Sequence, residues 1–323
     1  MALDWGSKRL KIVETYSKDN TFHLQNFIVK KIEQYEDSKN QFEQRSESLR
    51  FLFKEKSVST TKIQLILSGS DVIIKTLKLP LVQQEELKSL LFWEVQDIAG
   101  VSLENLVLDY EILSKTKDYY KVLLVIAYKK KLLKQIKSVE QLGLEVSKVK
   151  AAPLLLKNLV GSELKQKKLA IIDIGAQETE LSIFKKGKFD FRRVLDLGGT
   201  DITTAIETEN NLTTRKAEQV KRNNNCKIDL ISSSLLKLIK KIGLSIHYWE
   251  QNGEKIELIL LTGGGAKLKG LSQYLKQELG VAVKMLTGFS KFDCALNNCS
   301  FHFLKQQIPY LTIALAGTLN QNT

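Results

Sequence analysis

Leu169-Ala170-Ile171-Ile172-Asp173-Ile174-Gly175 is the stretch from which the fold can be read. Its apolar run is nearly unbroken, the pattern of a strand covered on both faces. The run stops at Asp-Ile-Gly, and Glu180-Leu181-Ser182-Ile183-Phe184 and then Phe189 to Leu195 follow as strands expected to pair beside it. The start of the chain repeats the theme, because Asp4-Trp5-Gly6 separates a short apolar strand from the alternating Leu10-Lys11-Ile12-Val13-Glu14. Two α/β lobes related by duplication are the economical reading.

Between these turns, Phe22 to Phe27 completes an N-terminal hairpin and a polar stretch from Ser38 to Lys54 reads as helix. Lys62 to Leu67 and Val72 to Leu77 read as strands split by Ser68-Gly69-Ser70-Asp71. Glu85 to Ile98 carries Leu87, Leu90, Leu91 and Val95 at helical spacing. Strands at 106–110 and 122–127 lead into a helix with Leu132, Leu133, Ile136, Val139 and Leu142 on one face, closed by Gly143. That helix-strand-strand-helix unit reads as a small inserted α+β subdomain. Helices at about 202–209, 213–224 and 229–250 precede a strand, Ile256 to Leu261, which runs into Thr262-Gly263-Gly264-Gly265 and an amphipathic helix from Leu268 to Leu279. The expected division is a first-lobe core over 1–80, the insertion over 81–148 and the second lobe over 149–323, with 201–255 as its helical subdomain.

A chain of 323 residues has room for two cores. The net charge of +13 is mostly scattered lysine, as in Lys129-Lys130-Lys131 and Lys165-Gln166-Lys167-Lys168, without interleaved aromatics. A solvated surface is expected, and no nucleic-acid partner. No window approaches the roughly 18 apolar residues of a spanning helix, and the opening residues lack the regions of a signal peptide, so a cytoplasmic chain is expected. Cys226, Cys294 and Cys299 are odd in number and lack metal or redox spacing, while His23, His247 and His302 lie far apart. Neither a disulfide framework nor a metal centre built on them is expected.

A phosphate-binding turn needs backbone N–H groups, room for close approach, and often a hydroxyl and a carboxylate. Asp4, Gly6, Ser7 and Lys8 supply these types in the first turn, and Asp173, Gly175 and Thr179 in the second. Facing each other across a cleft, the turns could clamp a nucleotide's phosphates, with Asp4 and Asp173 holding Mg²⁺ mostly through waters. Plain hairpin turns are the alternative. Gly263-Gly264-Gly265 after a buried strand would let the backbone lie against a purine, the alternative being a tight strand-to-helix turn.

The order strand-Asp-x-Gly, strand-Asp-x-Gly, strand-Gly-Gly-Gly resembles the two-lobed ATPase superfamily of actin, the heat-shock chaperone ATPases and the sugar kinases. Ala217-Glu218-Gln219-Val220-Lys221-Arg222 resembles the Glu-x-x-Lys helix with which that superfamily holds ribose and adenine, although a charged exposed helix would look alike. A more specific resemblance, from residue 2 to about 317, is to the PilM family of type IV pilus assembly. Carrying it are Ala2 to Glu14, Leu79-Pro80, Glu86-Leu87 with Phe92-Trp93-Glu94, Leu108-Asp109-Tyr110, Val122 to Ala127 with Leu142-Gly143-Leu144, and Asp173-Ile174-Gly175-Ala176. Leu197-Gly198-Gly199 with Thr204-Ala205-Ile206, and Leu261 to Ala266 with Lys269-Gly270-Leu271, complete it.

The resemblance implies a duplicated, ribonuclease H-like, actin-like fold with an insertion as in FtsA. It implies ATP and Mg²⁺ as ligands, with Ala176, Gly198, Gly199, Glu218, Lys221 and Lys267 joining the turn and loop residues at the nucleotide, and 201–255 flanking it. The groove beside the insertion, with Phe92 and Trp93 on its wall, would receive the N-terminal tail of a PilN-like inner-membrane protein. The chain would then lie at the inner face of the cytoplasmic membrane through that partner, with self-association possible. Two departures bear on the site. Gln177-Glu178-Thr179-Glu180 places a carboxylate where it would repel a γ-phosphate unless it turns away or binds the metal, and Lys241 and Leu244 stand where the family has a Glu and an Arg near the adenosine. Between Glu145 and Glu163 there is no carboxylate or glutamine to orient water, so no catalytic residue is assigned and at most weak ATPase activity is expected. The rival readings are an FtsA-like division filament, a metabolic kinase of the same fold and a nucleotide-free adaptor.

Overall fold

The computed structural model describes all residues except 20, 33–39, 56–59, 223–231, 289–290, 295–300 and 320–323. Cys226 and Cys299 fall outside the described residues, as do the junction of the two later predicted helices near 223–231 and the polar C-terminal residues. The chain opens with β1 (Ala2–Trp5), β2 (Arg9–Lys18), β3 (Thr21–Lys31), α1 (Gln41–Glu55) and β4 (Lys62–Leu67). β1 runs antiparallel to β2 and parallel to β4. Then come β5 (Val72–Pro80), α2 (Gln84–Ala99), β6 (Leu106–Lys115) and β7 (Tyr119–Tyr128), followed by α3 (Lys129–Glu140), β8 (Glu145–Ala151) and α4 (Ala152–Leu156). The second half contains β9 (Lys168–Ile174), β10 (Thr179–Lys185), β11 (Lys188–Leu195), α5 (Gly199–Asn210), α6 (Thr214–Arg222), α7 (Ser232–Glu250), β12 (Leu258–Thr262), α8 (Leu271–Leu279) and β13 (Val283–Met285). β14 (Phe292–Cys294) and α9 (Phe301–Thr318) end the chain.

The two large sheets share one plan. Their orders are β14-β3-β2-β1-β4-β8 and β11-β10-β9-β12-β13, so that apart from β14 each is a hairpin-linked antiparallel trio continued by two parallel strands. The duplication read from the two Asp-x-Gly turns is thereby present at the level of strand order. β9 shows why its sequence hardly alternates. Ala170, Ile172 and Ile174 join the core under α5, α7 and α8, while Leu169 and Ile171 face the core shared with the first lobe. Both faces are dry, so apolar residues are favoured at every position.

Strand pairing divides the chain elsewhere than at 80 and 148. β5 pairs with β7, and β7 with β6, in a separate three-stranded sheet whose core includes Leu79, Leu87, Leu91, Val95 and Val122. β8 instead lies parallel to β4, and α3 is the crossover that such pairing requires, burying Leu132 and Val139 in the first-lobe core. The insertion is therefore β5-α2-β6-β7, and α3 and β8 belong to the first lobe. The tail also returns there. β14 runs parallel to β3, and α9 packs Leu311, Ala314, Leu315 and Ala316 into the same core. A Cβ at Gly317 would lie 2.3 Å from Ile66 Cδ1, which sets how closely α9 crosses β1 and β4.

Candidate functional site

The ends of β1 and β9 meet between the lobes. Asp4, at the end of β1, is buried, and its Oδ2 accepts a hydrogen bond from Lys11 Nζ at 2.8 Å. Its Oδ1 is buried without a partner among the described residues. Lys11 reaches back over the turn because residue 6 is glycine, since a Cβ there would stand 2.4 Å from Lys11 Nζ and 2.9 Å from Arg9 O.

Asp173 sits opposite. Burial first, then the charge of Glu180, pushes its pKa up to about 7; Lys11 opposes this and Asp4 adds to it. Gly263 abuts this carboxylate, with φ at +87° and a hypothetical Cβ 2.2 Å from Asp173 Oδ1. The two Asp-x-Gly turns and the glycine run thus converge on one point. Gly263→Ala is expected to destabilise the protein by at least about 2 kcal/mol in a urea titration, because a left-handed backbone and a clash with Asp173 add together.

Several site residues are engaged by the protein itself. Thr179, expected to offer its hydroxyl to a phosphate, is fully buried and donates to the Leu197 carbonyl at 2.7 Å; strand pairing turns it inward. Gly198 N donates to Asp201 Oδ2 at 2.7 Å and Gly199 N to the Gly175 carbonyl at 2.9 Å. Thr200 N donates to the Ala176 carbonyl at 2.7 Å, so the first turn of α5 is docked on the β9–β10 turn. Lys221 Nζ donates to Gly199 O at 2.8 Å and pairs with Glu218 at 2.6 Å, which brings α6 onto the same helix end. Burial raises the Glu218 pKa, but Lys221, Thr203 and Arg222 outweigh it and hold the carboxyl below its ordinary value. Lys241 and Leu244 lie on exposed positions of α7.

Glu178 turns away from the cleft. Its Oε2 accepts from Ser70 N at 3.1 Å, and Glu180 Oε2 accepts from Gly69 N at 2.9 Å. Arg192 of β11 completes a clasp on this first-lobe turn, donating to Glu180 Oε1 at 2.9 Å, Val72 O at 2.8 Å and Gly69 O at 2.6 Å. The glycine run likewise has a packing role. A Cβ at Gly264 would meet the Tyr310 ring at 2.6 Å, and one at Gly265 would meet Ile174 Cγ2 at 2.3 Å.

The cleft wall is basic. Arg9 Cζ and Lys267 Nζ each lie 4.7 Å from the centroid of the Tyr310 ring. Burial pushes the Lys267 pKa down, and Arg9 and Arg222 push it further, so these cations share one field. Lys221 is likewise lowered, by burial first, with Arg222 and Arg9 contributing against the support of Glu218. Ser7, Lys8 and Gln177 line a neighbouring cavity of about 170 Å³, which sets an amide from the second turn beside the first. Sequence reading did not select Arg9, Lys11, Gln177, Arg192 or Tyr310. None of them carried a site signal there, and Lys11 reads as a polar position of an alternating strand.

On the insertion, Phe92 and Trp93 lie on the outer side of α2, 44% and 75% exposed, while Leu87, Leu91 and Val95 form the buried side. Among the described residues no three His, Cys, Asp or Glu side chains are grouped to hold a metal ion. No helix among them is long and apolar enough to cross a membrane.

Comparison with known proteins places this geometry in a family. A chain of a solved PilM-PilN type IV pilus biogenesis complex is similar in fold, with TM-score 0.86 at 22% identity over 98% of each chain. MreB5 of Spiroplasma citri, in a structure bound to ADP, has TM-score 0.51 at 14% identity over 98% of this chain and 94% of its own. The cell division protein FtsA of Bacillus subtilis (strain 168) is 32% identical over 88 residues, 27% of this chain, and the match spans only 20% of that curated relative. These likenesses give the two-lobed actin-like fold. A family model described as type IV pilus assembly protein PilM matches residues 2–321, so the chain belongs to the PilM family.

Proposed function

We propose that the chain is a nucleotide-responsive scaffold of type IV pilus assembly, which holds MgATP between its lobes and docks the N-terminal tail of a PilN-like inner-membrane protein. The observation that carries the nucleotide reading is the convergence of Asp4, Lys11 and Asp173 beneath a wall of Arg9, Lys221, Arg222 and Lys267. Two facing carboxylates, of which Asp4 has a buried oxygen without a partner among the described residues, suit a divalent ion, and the cations suit phosphates. Asp4 and Asp173 would hold the ion, mostly through water, and its charge would oppose the burial and the Glu180 charge that push the Asp173 pKa up. Lys11 would neutralise a phosphate from the first lobe, while Glu178, turned to Ser70, leaves room for it. Gln41, Gln44 and Gln177, neutral amides rather than carboxylates, line the cavity beside Ser7 and Lys8, which supports slow hydrolysis at most.

The docking reading rests on family membership and on the exposed Phe92 and Trp93, because aromatic anchors dominate peptide affinity. Through that partner the chain would sit at the inner face of the cytoplasmic membrane. Calorimetric titration with ATP and Mg²⁺ is expected to give micromolar or tighter binding, about −8 kcal/mol, abolished in Asp173→Ala. Absence of binding by the folded wild-type protein would leave a nucleotide-free adaptor. For the partner, Trp93→Ala is expected to weaken a fluorescent PilN-like N-terminal peptide at least about tenfold by anisotropy; unchanged affinity would remove α2 from the docking surface.

A further inference from the structure

A cavity of about 430 Å³ lies on the first lobe where the first turns of α1 and α3 converge. Arg45, Lys130, Lys131 and Lys134 line it together with the rings of Phe42 and Tyr128. The only carboxylate that ion-pairs with any of these four cations, among the described residues, is Asp71, which takes Lys131. Asp71 is also held by Gln135 Nε2 at 2.8 Å. Lys134 Nζ lies 5.9 Å from the Phe42 centroid.

Arg45 is placed in advance. Its guanidinium donates to the Trp5 carbonyl and lies 5.7 Å from the Trp5 ring, which in turn stacks on Phe42 at 5.8 Å. Its Nε is buried and has no acceptor among the described residues. Burial lowers the Arg45 pKa even though Asp71 and Asp4 favour the charged form. A buried donor without an acceptor is costly, and an excess of positive charge in a concave space repels itself.

We propose that this cavity is a binding site for a phosphate-bearing small molecule. Its volume falls in the range of small-ligand sites, with two aromatic walls for an apolar or planar portion. A phosphate brings more than one negative charge and several acceptor oxygens, matching an arginine and lysines of which one is already neutralised, whereas a single carboxylate would leave most of that charge uncompensated. The site is distinct from the Asp4 and Asp173 carboxylates but borders the interlobe cleft, since Gln41 lines both this cavity and the one beside Ser7, Lys8 and Gln177. Arg45 grips the residue next to Asp4, and Lys131 grips Asp71, in the turn held by the Glu180–Arg192 clasp. An occupant that draws Arg45 or Lys131 toward itself would act on both turns.

The test is calorimetric and thermal-shift titration of the full chain with inorganic pyrophosphate at constant ionic strength, without nucleotide. Three proteins are compared: wild type, the double variant Lys130→Glu/Lys134→Glu, and Arg9→Glu, which alters the interlobe cleft instead. Lys130 and Lys134 are exposed helix positions, so the double variant is expected to stay folded, as circular dichroism would verify. The expected result is wild-type binding with a dissociation constant of about 100 µM or tighter, weakened at least about tenfold in the double variant and retained in Arg9→Glu. Equal binding by the double variant, or loss confined to Arg9→Glu, overturns the proposal, because the pyrophosphate would then lie between the lobes. Neither heat nor thermal shift at about millimolar pyrophosphate overturns it too. If in that case the wild type co-sediments with phosphatidylglycerol vesicles and the double variant does not, the lysines serve a membrane surface.

Discussion

Arg192→Ala is expected to lower the unfolding free energy by about 3–5 kcal/mol, read from urea titrations at pH 7. The guanidinium and the Glu180 carboxylate are 6% and 7% exposed, so water cannot replace either partner when the other is removed. Truncation leaves Glu180 buried and charged beside Asp173, with Gly69 N its one remaining donor among the described residues, and removes the Arg192 hydrogen bonds to the carbonyls of Gly69 and Val72. Arg192→Lys keeps the charge but cannot span three acceptors, and should fall between the alanine variant and wild type. A loss below about 1 kcal/mol for Arg192→Ala would mean that the clasp is not closed in solution. Because the clasp joins β11 and β10 to the turn after β4, its loss should also speed hydrogen exchange at Gly69 and Ser70 before the rest of either sheet.

Asp173→Asn should act in the opposite direction. In metal-free and nucleotide-free protein, a carboxyl with a pKa near 7 when folded and near its ordinary 3.8 when unfolded binds more protons in the native state across that interval. Stability therefore falls as pH rises from about 4 to about 7, and stays reduced above it. A shift of about three pH units corresponds to about 4 kcal/mol at most, and partial solvent access to Asp173 makes roughly 2–4 kcal/mol the expected gain for Asp173→Asn at pH 8. At pH 4 wild type and variant should unfold together. Equal melting temperatures at pH 8 would show that Asp173 carries no repulsion when folded. Saturating MgATP should stabilise wild type and not the variant, so the stabilised protein would be the one unable to use its ligand. Such an exchange of stability for function is common at charged sites.

Local chemistry was enough to reach the duplicated plan. The Asp-x-Gly turns at 4–6 and 173–175, the two-sided apolar run of β9 and the strand entering Gly263 each state their conformation within a few residues, because period and turn type are short-range properties. Where strands pair is not. β5 and β4 look alike in sequence, yet one joins the insertion and the other the central sheet, and β8 is claimed by β4 only because α3 carries the chain back across it. α9 runs through Pro309, which argues locally against helix, and is held in place by its burial against β1 and β2. At the site, residue types identified Asp4, Asp173 and the glycines, but not which groups face the cleft. Thr179 turned inward and Glu178 turned to Ser70, while Arg9 and Lys11 came from the adjoining strand β2, Arg192 from β11 and Tyr310 from the distant α9. The sequence by itself thus determined the strand plan and the carboxylate pair. The tertiary structure decided what surrounds them, since buried charge is compensated by whichever partner packing delivers, at any sequence distance.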